Sequence, residues 1–170
     1  MTALRAVRAD IAALEIEAIV NAANTALAPG SGVDGAIRRA AGPDMTRATA
    51  RLGGCPAGEA VITPGFDLKA KWVIHTAAPV YSDHAKPEVV RLLTNCYRNT
   101  LALADWKGIA AIAFPALGTG IYGVPMALAC PLAVAAVRAH TAEGCRQREI
   151  LFCCFSEADL SAYERELLNG

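Results

Sequence analysis

The chain has 170 residues, 54% of them hydrophobic, and its 16 basic and 16 acidic side chains cancel to a net charge of zero. That length suits one domain built on one core and leaves little room for two. The charge balance excludes attraction to nucleic acid or an anionic membrane through a bulk field, so any phosphate recognition must be local.

In chain order, strands are expected over Leu4 to Arg8 and Ala18 to Asn21, then a helix from Gly35 to Ala41 and another around Met45 to Leu52. Strands follow at Ala60 to Thr63 and Trp72 to Ala77, a long helix at Glu88 to Trp106, and a strand at Ile109 to Phe114. A helix from Pro125 to Thr141, a strand from Ile150 to Phe155 and a helix from Glu157 to Leu168 complete the chain. Strands alternating with helices, and strands apolar on both faces such as Ile109 to Phe114, predict a three-layer α/β/α sandwich on a mostly parallel sheet. Pro131 lies inside the helix begun at Pro125 and predicts a kink or a later start.

Six cysteines, with Cys153 beside Cys154, read as reduced thiols and not as a disulfide framework. Arg5, Arg8, Asp10, Glu15 and Glu17 break up the first twenty residues, leaving no apolar core for a signal peptide. The longest apolar run, Val124 to Val137, is too short to span a bilayer and is interrupted by Pro125 and Pro131. The expectation is a soluble, cytoplasmic protein with no membrane partner.

Two glycine-rich loops follow strands, where open α/β sheets bind ligands. One runs from Asn21 through Asn24, Gly30, Ser31, Gly32, Val33 and Asp34 to Gly35; the other runs from Pro115 through Gly118, Thr119, Gly120, Ile121 and Tyr122 to Gly123. Glycine lets backbone amides approach a ligand, and a helix start adds free N–H groups, so two such loops at corresponding sheet ends predict an anion cradle. Taken singly, either loop could simply turn the chain. Gly118, Gly120 and Gly123 satisfy the dinucleotide spacing, but Pro125 suits the first helical position and leaves Gly123 in the loop. The strand from Glu149 to Phe155 also ends without an acidic residue, which argues against a hydride-transfer enzyme.

The ordered motifs Ile19-Val-Asn-Ala-Ala-Asn24, Gly32-Val-Asp-Gly-Ala-Ile37 with Arg39-Ala-Ala-Gly42, and Pro115-Ala-Leu-Gly-Thr-Gly-Ile-Tyr-Gly123 resemble the macrodomain, in particular its MacroD-type branch. The similarity spans nearly the whole chain and implies a single domain with a mixed, mostly parallel sheet of about six strands. It implies binding of ADP-ribose and, in many members, removal of that group from acidic side chains or deacetylation of O-acetyl-ADP-ribose.

By that resemblance Asn24 holds the distal ribose and Asp34 orients or activates a water. Asp10 accepts from the adenine amino group with Ile11 beside it, and Phe155 lies against the adenine. Gly32, Val33, Gly118, Thr119, Gly120, Ile121 and Tyr122 surround the phosphates and distal ribose. Without the resemblance, Asp34 and Asp10 read as helix and turn caps and Phe155 as a core aromatic.

Two positions depart from the family. Arg38, where many relatives carry histidine, either pairs with Asp34 one helical turn away, contacts the leaving acyl group, or is a solvated arginine. Ser31 interrupts a glycine run and either tightens the loop or adds a hydroxyl contact. His75 closes an apolar strand, His84 lies in a polar loop and His140 near a helix end, and none makes a metal spacing with the cysteines, so no metal or other cofactor is expected. Cys153 and Cys154 read as packing residues. The leading function is metal-independent ester hydrolysis at the distal ribose of mono-ADP-ribosylated proteins or O-acetyl-ADP-ribose. A non-catalytic ADP-ribose reader and an ADP-ribose 1″-phosphate phosphatase are the alternatives.

Overall fold

Side-chain alternation along the strands decides the layering. In the computed structural model, which describes residues 1–170, the strands are β1 (Ala3–Arg8), β2 (Ala18–Ala23), β3 (Ala60–Pro64), β4 (Trp72–Ala77), β5 (Ala111–Phe114) and β6 (Glu149–Cys154). The helices are α1 (Gly32–Ala41), α2 (Pro43–Leu52), α3 (Lys86–Lys107), α4 (Met126–Ala142) and α5 (Glu157–Leu168). Ile150, Phe152 and Cys154 of β6, with Ile112 and Phe114 of β5, pack against α3, α4 and α5, while Leu151, Cys153 and Ala113 point the other way towards α1 and α2. Two cores on the two faces of one sheet make the three-layer sandwich expected from the sequence.

The sheet order is β1-β6-β5-β2-β4-β3. All neighbours run parallel except β3, which pairs antiparallel with β4 at the edge. From β2 the chain crosses to the edge strand β3, turns back through β4 beside β2, and then passes to β5 on the other side of β2. The strand order therefore reverses between β2 and β5, and the loops leaving their carboxyl ends diverge and open a crevice. Pairing of β2 with β5 stops at Ile19 and Ala113, whereas pairing of β2 with β4 continues to Ala23, which widens that crevice.

Several boundaries differ from the sequence expectation for local reasons. α1 begins at Gly32, three residues before Gly35, so Asp34 sits in its first turn. β5 begins at Ala111 because the backbone before it is engaged elsewhere: the Ile109 amide donates to the Ala104 carbonyl, and the Ala110 amide to Glu17 Oε2. β6 stops at Cys154, so Phe155 is outside the sheet. Pro125 is the cap of α4 and not its first residue, and the helix runs on through Pro131 without a later start. The carbonyl that Pro131 leaves without a helical donor, that of Ala127, lies on the exposed side of α4. No helix is long and apolar enough to cross a membrane.

Phe152 is 1% exposed, and its ring stacks on that of Tyr163 with centroids 5.0 Å apart, joining β6 to α5. Phe152→Ala should cost about 3–5 kcal/mol of stability by urea denaturation, because the cavity cannot collapse between sheet and helix.

Candidate functional site

The two glycine loops leave β2 and β5 side by side and enclose one cleft with two chambers. The larger, about 440 Å³, lies over the ends of β1 and β6 and is bordered by Asp10, Ile11, Cys153, Cys154 and Phe155. The smaller, about 160 Å³, lies between the loops and is bordered by Asn24, Ser31, Asp34, Gly118, Gly120, Ile121 and Tyr122. Gly32 and Val33 border both chambers, so the start of α1 is the wall they share.

That wall carries unpaired backbone donors. The first amides of a helix have no carbonyl partner within it, and α1 starts where the chambers meet. Gly32 has φ of +58°, which turns the loop into the helix and which a side chain would resist. Gly35 lets the loop fold back on α1: a Cβ there would meet the Gly30 carbonyl oxygen at 2.9 Å.

Asp34 fixes this arrangement from below. It is 3% exposed, and its carboxylate accepts from three donors: Asn21 Nδ2 to Oδ1 at 2.7 Å, the Gly30 amide to Oδ2 at 2.7 Å, and Arg38 Nε to Oδ2 at 2.9 Å. One carboxylate thus ties β2, the first glycine loop and α1 together. Arg38 is 8% exposed, so neither the solvated reading nor a contact with the leaving group holds, and pairing with Asp34 is the alternative observed. Its remaining nitrogens donate to the hydroxyls of Thr46 and Thr49 on α2 and to the Leu27 carbonyl. Leu27 is itself at φ of +55°, a costly conformation for leucine that its burial and the Arg38 bond hold in place.

Asn24 spends half of its amide on the loop: Nδ2 donates to the Ala28 carbonyl and Oδ1 accepts the Ala28 amide, leaving one hydrogen and one lone pair free at the chamber wall. Asp10 does the same. Its Oδ1 caps the single 3-10 turn Ile11–Ala13 through the Ala12 amide, and Oδ2 is free beside the larger chamber. The cap reading of Asp10 is thus realised together with a place at the cleft. Phe155 is 91% exposed on the rim, which overturns its reading as a core aromatic. Thr119 does not border either chamber; its hydroxyl donates to the Ala116 carbonyl within the second loop. Ser31, the cap residue of α1, makes no side-chain cap bond.

His75 does not close its strand but sits inside β4, paired in register with Asn21 of β2. Its Nδ1 is 3.0 Å from Asn21 Nδ2 and its Nε2 is 2.9 Å from the Thr63 hydroxyl. Asn21, His75 and Thr63 were given no role at the site by the sequence, because only the strand pairing shows that they meet beneath Asp34. Burial pushes the imidazole down to about 4, with the Arg38 charge acting the same way and Asp34 opposing. The thiols bordering the larger chamber are pushed up by burial, Cys153 to about 11 and Cys154 to about 12, as suits packing residues and not nucleophiles. No cluster of three His, Cys, Asp or Glu side chains is arranged to hold a metal ion.

A family model described as Macro domain matches residues 20–133. A macro domain-containing protein of Ralstonia nicotianae is 53% identical, over 96% of this chain and 94% of its own length. The ADP-ribose glycohydrolase MACROD2 of Xenopus laevis is 44% identical over 94% of this chain but only 38% of its own length, so this chain spans well under half of that relative. The Oceanobacillus iheyensis macrodomain solved with ADP superposes with a TM-score of 0.93 at 36% identity, over 99% of this chain and 91% of that one. A variant of the same protein was solved with ADPR at a TM-score of 0.95.

Two outcomes check this network. Arg38→Ala leaves a buried carboxylate without its counter-charge and should destabilise the fold by about 3–5 kcal/mol in chemical denaturation. His75 has a folded pKa of about 4 against an ordinary 6.5, so between those values the unfolded chain binds the extra proton. Its contribution is therefore full above pH 6.5 and lost progressively down to pH 4, by about 3 kcal/mol. Denaturation of wild type and His75→Asn at pH 7, 5 and 4 reads this as a steeper loss in the wild type.

Proposed function

Since the chain belongs to the macro domain family, we propose that it binds ADP-ribose and hydrolyses an ester at the distal ribose of that group. The observation that carries the reading is the pair of chambers, about 440 and 160 Å³, joined at the start of α1. A nucleoside suits the larger chamber, with the free oxygen of Asp10 facing an exocyclic amine and the Phe155 ring covering a base. A diphosphate suits the unpaired amides at the shared wall. A second ribose suits the smaller chamber, where the free donor and acceptor of Asn24 match a sugar diol. The relative named ADP-ribose glycohydrolase and the neighbours solved with ADP and ADPR support the same ligand class.

For the chemistry, we assign to Asp34 the orientation of one water. A carboxylate offers about four acceptor positions and three of these are filled, which leaves one, on Oδ1, for a water hydrogen. With the ester held by Asn24 and the loops, that water adds across the bond. The products are a carboxylic acid and the free ribose hydroxyl, and loop amides stabilise the negative charge that develops. The substrates are mono-ADP-ribosylated aspartate or glutamate side chains and O-acetyl-ADP-ribose. The reading assigns no metal. A reader without turnover is the second reading, favoured by the deep burial of Asp34.

Incubation with O-acetyl-ADP-ribose, with Asp/Glu-linked mono-ADP-ribosylated protein and with ADP-ribose 1″-phosphate separates these cases. Turnover of an ester, undiminished by EDTA and lowered about a hundredfold or more in Asn24→Ala and in Asp34→Asn, is expected, the latter variant assayed under conditions where circular dichroism shows it folded, since it loses the buried pair with Arg38. Calorimetric binding of ADP-ribose with no product from either ester would leave the reader, and release of phosphate alone would leave the phosphatase.

A further inference from the structure

The buried chain below Asp34 has one consistent set of proton positions. An ionised carboxylate only accepts, so the Asn21 atom 2.7 Å from Asp34 Oδ1 must be the amide nitrogen. The same nitrogen lies 3.0 Å from His75 Nδ1, which must then be the accepting, unprotonated ring nitrogen. The imidazole proton is therefore on Nε2 and is donated to Thr63 Oγ1 at 2.9 Å, and the Thr63 hydroxyl passes its own hydrogen to Met45 Sδ at 3.4 Å. Both amide hydrogens of Asn21 are spent in this way. Its Oδ1 is buried without a partner, a cost of about 1–3 kcal/mol that turning the amide over would only exchange for an oxygen facing a carboxylate.

We propose that His75 is a positioning residue for the cleft: as a neutral imidazole with its proton on Nε2, it fixes the Asn21 amide and thereby the direction in which Asp34 presents its free acceptor position. The orphaned Asn21 oxygen follows from this constraint. The carboxylate demands the nitrogen on its side, and the bare Nδ1 of the imidazole takes the second amide hydrogen, which leaves the oxygen with no donor. The groups facing the His75 ring are Asn21 from β2, Thr63 from β3, and the charges of Asp34 and Arg38 from α1, while the Cys55 thiol reaches only the His75 carbonyl. A second ring proton would put Nδ1–H against Asn21 N–H, and the amide could no longer serve both neighbours. The depressed basicity of the ring keeps that state away from neutral pH.

The kinetic test rests on the ester-hydrolase reading, and a spectroscopic test does not. In the imidazole ¹⁵N spectrum of the wild type, His75 should show a protonated Nε2 and a bare Nδ1 from pH 8 down to about 5; a protonated Nδ1 there overturns the proposal whether or not the protein turns over an ester. For turnover, His75→Phe should lower kcat roughly tenfold or more while KM and the calorimetric Kd for ADP-ribose stay within about threefold. His75→Asn, which returns an acceptor to the Nδ1 position without a titratable ring, should recover part of the lost kcat and flatten its fall below pH 5. Thr63→Val, a milder change that releases the Nε2 proton, tests the same chain should His75→Phe fail to fold, and should also lower kcat. Unchanged kcat in these variants, or equal losses in His75→Phe and His75→Asn, contradicts a positioning role. Absence of wild-type turnover with the expected ring tautomer would overturn the hydrolase reading alone.

Discussion

A single buried carboxylate organises the functional end of this molecule. Asp34 accepts from β2 through Asn21, from the first glycine loop through Gly30, and from its own helix through Arg38. A charge taken so far from water is tolerated only when it is paired and its lone pairs are filled, and here the pairing partners are the elements that must meet to form the cleft. Arg38 extends the constraint to α2 through Thr46 and Thr49. The position of the helix start, and of the amides it offers to a ligand, follows from satisfying this charge.

Topology places that helix start where it is useful. The reversal of strand order between β2 and β5 separates the two loops, and the parallel direction of both strands puts the loops at the same end of the sheet. The early end of β2–β5 pairing leaves space that the start of α1 divides into two chambers. One chamber has an aromatic ring and a free carboxylate oxygen at its edge, and the other has an amide with a donor and an acceptor to spare. Asn24 and Asp10 each use part of their hydrogen-bonding capacity to shape the local backbone and keep the rest for the cleft. The same side chains therefore both shape the backbone and border the cleft.

Much of this was legible in the residues and some was not. The glycine spacing, the proline before α4 and the two-faced apolar strands gave the layers, the loops and their common end, because each is a local property of the chain. The bounds of β4 and α5, Trp72–Ala77 and Glu157–Leu168, were read correctly. Gly32 was not recognised as the start of α1, since it enters the helix with a positive φ that no sequence pattern displays. Arg38 could be read as surface or buried until Thr46, Thr49 and Leu27 were seen around it. Phe155, apart from the family resemblance, read as a core residue because it was taken as the last residue of an apolar strand, and the end of β6 at Cys154 releases it to the rim. His75 and Asn21 are 54 residues apart and meet solely through strand register, the kind of contact that hydrophobic patterning does not specify.

The central claim is that the two chambers and the helix start between them form one ADP-ribose site, and a crystal structure of the protein with ADP-ribose tests it most directly. The account predicts adenine between Phe155 and Asp10, the diphosphate on the amides from Gly32 to Asp34, and the distal ribose hydrogen-bonded to Asn24 with Arg38 still turned away beneath Asp34. A nucleotide bound outside the cleft, bound in the reverse direction, or bound only after the Asp34 to Arg38 pair has opened would contradict it.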